Sequence, residues 1–264
     1  VPERVVYNGT TLWTAGASPN VAFNREVDLT GRTHVIEELG DTSTNIYRGS
    51  KRNTRSYEIT CDLIAGGAFT LAQLIAWWEE THSADGGLRV LLRETGTGVF
   101  YLDCVPEAPK WGSDNGPVWI EVVQTYTAPT PLWYGAETSA NGNFNGGAPV
   151  TIVCNNAGNV ASCVRLEIEN EVDTPKVSLG TTWEIEFDLA MAGGDLLEVA
   201  CKTPASAWYT PVGGAATRAY GYRTEATSFR KAKLQPGNNN VVISATAGNG
   251  LCTVYWKPLY EALT

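Results

Sequence analysis

Two stretches of this 264-residue chain alternate apolar with polar residues one for one: Tyr57-Glu58-Ile59-Thr60-Cys61-Asp62-Leu63 and Trp183-Glu184-Ile185-Glu186-Phe187-Asp188-Leu189. A period of two puts every apolar side chain on one face of an extended strand, so both predict antiparallel strands half-buried on a core. Shorter segments of the same character fall at 88–92, 99–105, 118–126, 164–169, 196–201, 241–245 and 252–256. Clusters of Gly, Asn, Asp and Pro divide them, and with 27 glycines the spacing predicts an all-β chain. One segment breaks the pattern. Leu71, Leu74, Ile75 and Trp78 recur at helical spacing, which predicts a helix over about 70–83 with its apolar stripe on a sheet. Thr70 fits the N-cap, Gln73 completes a capping box, Phe69 is placed to staple against Leu74, and Gly86-Gly87 stops the run. Glu79 and Glu80 then face solvent or another subunit.

Apolar residues at 43% against charged residues at 18% describe a globular chain, and its length suits two domains. Between them Thr127-Ala128-Pro129-Thr130-Pro131 cannot continue a central strand, because two prolines remove ladder donors. The expected organisation is a first domain over 1–127, a Pro-rich linker over 128–135 and a second domain over 136–264. Within the second, 139–149 reads as a loop from its asparagines and glycines, with Phe144 as an anchor. The formal charge of −9 is spread evenly, about −6 before residue 129 and about −3 after it. Specific nucleic-acid binding is disfavoured, since it needs a concentrated Lys/Arg surface. No apolar run approaches the 18 or so residues of a membrane-spanning helix, and Val1-Pro2-Glu3-Arg4 reads as neither signal nor transit peptide. The six cysteines are widely spaced without a CxxC pair, and three of them, Cys61, Cys201 and Cys252, lie in alternating runs, which predicts reduced thiols in the core.

Little in the chain points to chemistry. His34 and His82 stand far apart with no neighbouring ligand, and no phosphate loop, dinucleotide fingerprint or GxSxG elbow occurs, so no metal, cofactor or catalytic residue is expected. Glu184, Glu186 and Asp188 share one strand face at about 6.6 Å spacing, near the lower end used by inverting glycosidases; that spacing holds on any exposed strand. Alternation turns these carboxylates outward, so a β-sandwich glycosidase is the weaker alternative. Trp208 and Tyr209, followed by Thr-Pro and Gly-Gly, read as a loop offering surface aromatics to a sugar or protein, which makes a carbohydrate-binding module the first alternative. Arg48, Lys51, Arg52 and Arg55 concentrate positive charge in what reads as a hairpin tip, a subunit or partner contact in an acidic protein. Asn8-Gly9-Thr10 matches a glycosylation triplet that short chains carry by chance.

Four segments in order carry a resemblance: APTPLWYG (Ala128 to Gly135), GGDLLEVACKT (Gly193 to Thr203), LQPGNNNVVIS (Leu234 to Ser244) and TVYWKPLY (Thr253 to Tyr260). Together they resemble the distal tail proteins of long-tailed, siphovirus-type bacteriophages, over residues 128–264. Pro131 to Gly135 match that family's linker, Gly194 to Val199 a sandwich strand, Pro236-Gly237-Asn238 a turn, and Trp256-Lys257-Pro258 the closing strand. Where the family has bulky apolar residues before the turn, this chain reads Ser228-Phe229-Arg230-Lys231-Ala232-Lys233. The resemblance implies an N-terminal β-barrel or sandwich domain with one packed helix and a C-terminal galectin-like β-sandwich. It further implies a structural, non-enzymatic adaptor: a homohexameric ring in the virion, assembled in the host cytoplasm, joining tail tube to tail-tip hub, with DNA passing through its centre. Tape measure and receptor-binding proteins are further implied partners, without membrane insertion.

Overall fold

The computed structural model describes residues 3–18, 20–38, 45–83, 87–114, 116, 118–202 and 204–261, without side-chain detail for 29–38, 45–54 and 113–114. The chain divides into two compact units, Val1–Trp133 with Glu261–Thr264, and Tyr134–Tyr260. Nearly all regular structure is antiparallel strand, with a single α-helix and no closed barrel among the described residues.

In the first unit seven strands follow one another across the sheet in the order Thr10–Thr14, Arg4–Tyr7, Arg89–Thr95, Gly98–Pro106, Trp119–Ala128, Asn45–Ile64 and Val21–Glu38. Lys110–Asp114 pairs with Trp119–Ala128 as well. The first hairpin turns on Asn8-Gly9, with φ of 47° and 80°. Both residues take the left-handed conformation that a two-residue hairpin turn demands, which is the physical role of the Asn-Gly pair. Strand Asn45–Ile64 shows the predicted alternation at its C-terminal end: Tyr57, Ile59, Cys61 and Leu63 are all buried.

The helix runs Leu71–Thr81 inside the predicted span, and Thr70 and Gln73 form the expected reciprocal capping box. Leu74 and Trp78 are buried, Glu79 and Glu80 exposed, and the helix packs on strand Asn45–Ile64. Burying side chains of that size is worth about 2–3 kcal/mol each. Phe69 remains 53% exposed, so the staple adds little. The helix closes at His82; Gly86 lies outside the described residues.

The second unit is a sandwich. One sheet has the order Thr138–Asn145, Ala247–Trp256, Ser162–Asp173, Leu196–Ala200, Ser206–Thr210 and Thr217–Arg218. The other has Val150–Asn156, Gly237–Ser244, Lys176–Leu179 and Trp183–Glu186. Inward residues of both, including Leu166, Ile168, Val199, Cys252 and Val254 on one and Ile152, Val177, Ile185 and Ile243 on the other, build one core.

Two expectations are corrected here. The stretch 139–149, read as a loop, contains the eight-residue strand Thr138–Asn145. Its inward positions are Ala140, Gly142 and Phe144, and small residues hide the alternation that a strand normally displays; a Cβ on Gly142 would meet Ile152 Cγ1 at 2.9 Å. Trp208 and Tyr209 also lie in a strand, Ser206–Thr210, rather than a loop. All six cysteines are free thiols, five of them buried.

Candidate assembly interface

Strands Val21–Glu38 and Asn45–Ile64 are far longer than their neighbours. Residues 55–64 of the second strand pair with Trp119–Ala128, but beyond a register shift 45–52 pair only with 32–38 among the described residues. The result is a two-stranded β-arm that continues past the sheet for about 25 Å at ordinary strand rise. This corrects the reading of Arg48 to Arg55 as a hairpin tip: they form part of a continuous strand, with Lys51 opposite Thr33 and Arg52 opposite Arg32. Arg48, Lys51, Arg52 and His34 all lie on the arm. A two-stranded ribbon is marginal alone in water, and the backbone edges it leaves unpaired are templates for further pairing.

Charge fastens the root of the arm. Glu26 accepts hydrogen bonds from the Tyr57 hydroxyl at 2.5 Å and from Arg93 Nε at 2.9 Å, with Arg93 Nη2 on its other oxygen. Burial alone would raise the Glu26 pKa, but the hydrogen bonds from Arg93 and Tyr57 outweigh it and hold the carboxyl below its ordinary value. Two residues on, Asp28 pairs with Arg55 Nε at 3.1 Å and accepts from Trp133 Nε1 at 3.0 Å. Here burial prevails over Arg55 and Trp133, and the Asp28 pKa is raised. Arg55, expected with the others as a partner contact, is 1% exposed and also donates to the backbone carbonyl of Glu261. Its charge is used inside the unit.

The second unit shows where the other expected residues fall. Trp208 and Tyr209, as strand neighbours, point to opposite faces. Trp208 is 37% exposed with Arg218 over its ring at 5.7 Å, whereas the Tyr209 hydroxyl donates to Asp195 at 2.5 Å. They form no shared stacking platform. Asp195 is buried and also accepts from the backbone N–H of Ala192 and Val212, each at 2.8 Å; the Tyr209 bond first, and these two next, hold its carboxyl below the ordinary range. The Gly193-Gly194-Asp195 start of the GGDLLEV segment is thus a turn pinned by its aspartate, and Leu196 onward is strand. In LQPGNNN, Gly237 has a φ of 87°, and the side chain that locks the turn belongs to Asn239. Asn239 accepts from Gln235 N at 2.9 Å and donates to the carbonyls of Gln235 and Gly237, both at 2.8 Å. At the other end Gly135 N donates to Pro258 O at 2.9 Å, and Lys257 stands over the Tyr134 ring at 5.1 Å.

The carboxylate row behaves as ordinary surface chemistry. Glu184 pairs with Lys176 at 2.8 Å, Glu186 accepts from Thr224 at 3.4 Å, and Asp188 is exposed. Of the two histidines, His82 is a core residue, 3% exposed and bonded through both ring nitrogens.

No family model matches this chain, and no curated protein matches it. Solved structures do. The crystal structure of SPP1 Dit (gp 19.1), a paradigm of the hub adsorption apparatus in Gram-positive infecting phages, superposes with a TM-score of 0.70 at 13% identity, covering 97% of this chain and 98% of that one. The phage P2 baseplate in its activated conformation with Ca gives a TM-score of 0.51 at 10% identity, covering all of both chains. The fold is therefore shared with SPP1 Dit and with a phage P2 baseplate chain, in agreement with the fold implied by the resemblance read from the second half of the sequence.

Proposed function

We propose that this protein is a structural component of a phage tail tip, a distal tail protein that closes into a homohexameric ring between the tail tube and the tail-tip hub. The observation that carries this reading is the end-to-end match to SPP1 Dit, which covers 97% of this chain and 98% of that one. The β-arm supports it, since an edge left unpaired within one chain is the kind of surface a neighbouring copy can complete. A head-to-tail contact repeated around an axis closes a ring, and each modest interface is reinforced by the others. On this reading the work is geometric, without catalysis, and DNA passes through the centre unbound, which an acidic chain favours. Tail tube, hub, tape measure and receptor-binding proteins are its neighbours in the virion.

Mass measurement in solution combined with negative-stain imaging tests this. We expect annular particles at six times the 28.4 kDa chain mass. A chain that stays monomeric when mixed with its own tail-tube protein would overturn the proposal.

A further inference from the structure

The second unit holds an open cleft of about 530 Å³, lined by Tyr220, Arg223, Thr227, Ser228, Phe229 and Arg230 among others. Its floor is rigid. Phe229 is buried against Phe187 at 6.2 Å and meets the edge of Tyr220 at 5.9 Å, and the Tyr220 hydroxyl is tied to the Ala205 carbonyl. Thr227 is fixed by hydrogen bonds to the backbone of Glu186 at 2.9 and 2.7 Å.

The rim is cationic. Arg223 and Arg230 are exposed, and among the described residues neither has an ion pair, whereas Arg4, Arg55, Arg93, Arg165 and Lys176 each have a carboxylate partner. Lys231 lines a smaller adjoining hollow of about 190 Å³ that shares Ser228. Residues 223–233 thus carry four cations and a single acid, Glu225, in a chain of net charge −9. The second half of this segment, Ser228 to Lys233, is the basic stretch already noted in the sequence.

We propose that this cleft binds a phosphate-bearing saccharide, with the phosphate between Arg223 and Arg230 and the sugar over the Phe229–Tyr220 floor. A carboxylate is matched by one guanidinium fork, while the oxygens of a phosphate can engage two. A pocket of this size admits one or two sugar residues, whereas a protein partner needs about 800 Å² of surface. The inference stands apart from ring assembly and holds or fails without it.

The full-length chain is titrated calorimetrically with phosphomannan, unphosphorylated mannan and polyglutamate. Phosphomannan should bind saturably, and the other two at least about tenfold more weakly, the scale of one charge-assisted hydrogen bond. The double variant Arg223→Gln, Arg230→Gln should lose about tenfold or more, while Lys110→Gln in the first unit should bind as the parent does. Equal binding of mannan or polyglutamate, or undiminished binding by the double variant, would overturn the proposal. Two readouts use the unaltered protein and decide the matter even where the variant folds poorly. Mannose 6-phosphate should displace phosphomannan, and amide exchange over residues 220–231 should slow on binding. Absence of either sinks the site.

Discussion

His82 sits where a proton would be costly. Its ring is stacked by Trp78 at 4.7 Å and Tyr7 at 5.2 Å, Nδ1 lies 2.8 Å from the Trp78 carbonyl, and Nε2 lies 2.8 Å from the Tyr126 hydroxyl. The arrangement suits the neutral tautomer that donates from Nδ1 to the carbonyl and accepts from Tyr126 at Nε2. Burial pushes the His82 pKa down to about 4, below the unfolded value near 6.5. A depressed histidine pKa means the unfolded chain binds the proton more tightly, so the stabilisation is complete above about pH 6.5 and is lost as pH falls toward 4. We expect urea unfolding to show up to about 3 kcal/mol more loss between pH 7 and pH 4 in the parent than in His82→Gln. Parallel pH profiles would contradict this. In the sequence His82 could be set aside as a metal ligand, and the helix stripe identified Trp78. Tyr7 and Tyr126 arrive from distant strands, and no local pattern announces them. The turn motif behaved similarly: it pointed to Asn238, whereas the fully bonded side chain is that of Asn239.

At the scale of elements, legibility followed the size of the inward residues. Strands carrying Ile, Val, Leu and Trp on their inner face were readable, as was the capped helix. Thr138–Asn145 was not, because Ala140 and Gly142 face inward and its outward asparagines mimic a loop. The space there is real: substituting Val for Gly142 forces a side chain into Ile152 and should cost about 1–3 kcal/mol, visible as a lower urea midpoint. A midpoint equal to the parent's would show that the two sheets can part there without penalty. The β-arm was missed for a different reason. Neither face of 30–38 or 45–54 is consistently apolar, so periodicity had nothing to report, and only the pairing register reveals the strands. The Asn8-Gly9 pair, by contrast, carries a strong local hairpin-turn signal that the strand pattern alone leaves unused.

For the whole molecule, the arm is the feature whose removal tests the proposed assembly separately from folding. Replacing residues 31–54 by Asn-Gly keeps Arg55 and the root network while deleting the ribbon. The shortened chain should keep the parent's thermal midpoint within a few degrees and sediment as a monomer; a ring formed without the arm would remove it from the proposed interface. The order of the two units carries one more consequence. The chain leaves the first unit after Trp133 and rejoins it at Glu261, whose carbonyl receives Arg55. Inside the second unit, Gly135 and Pro258 are hydrogen-bonded neighbours. A module whose entrance and exit lie side by side behaves as a cassette: another domain with adjacent ends could be spliced between Trp133 and Glu261, letting a lineage exchange the second unit while the first is inherited unchanged.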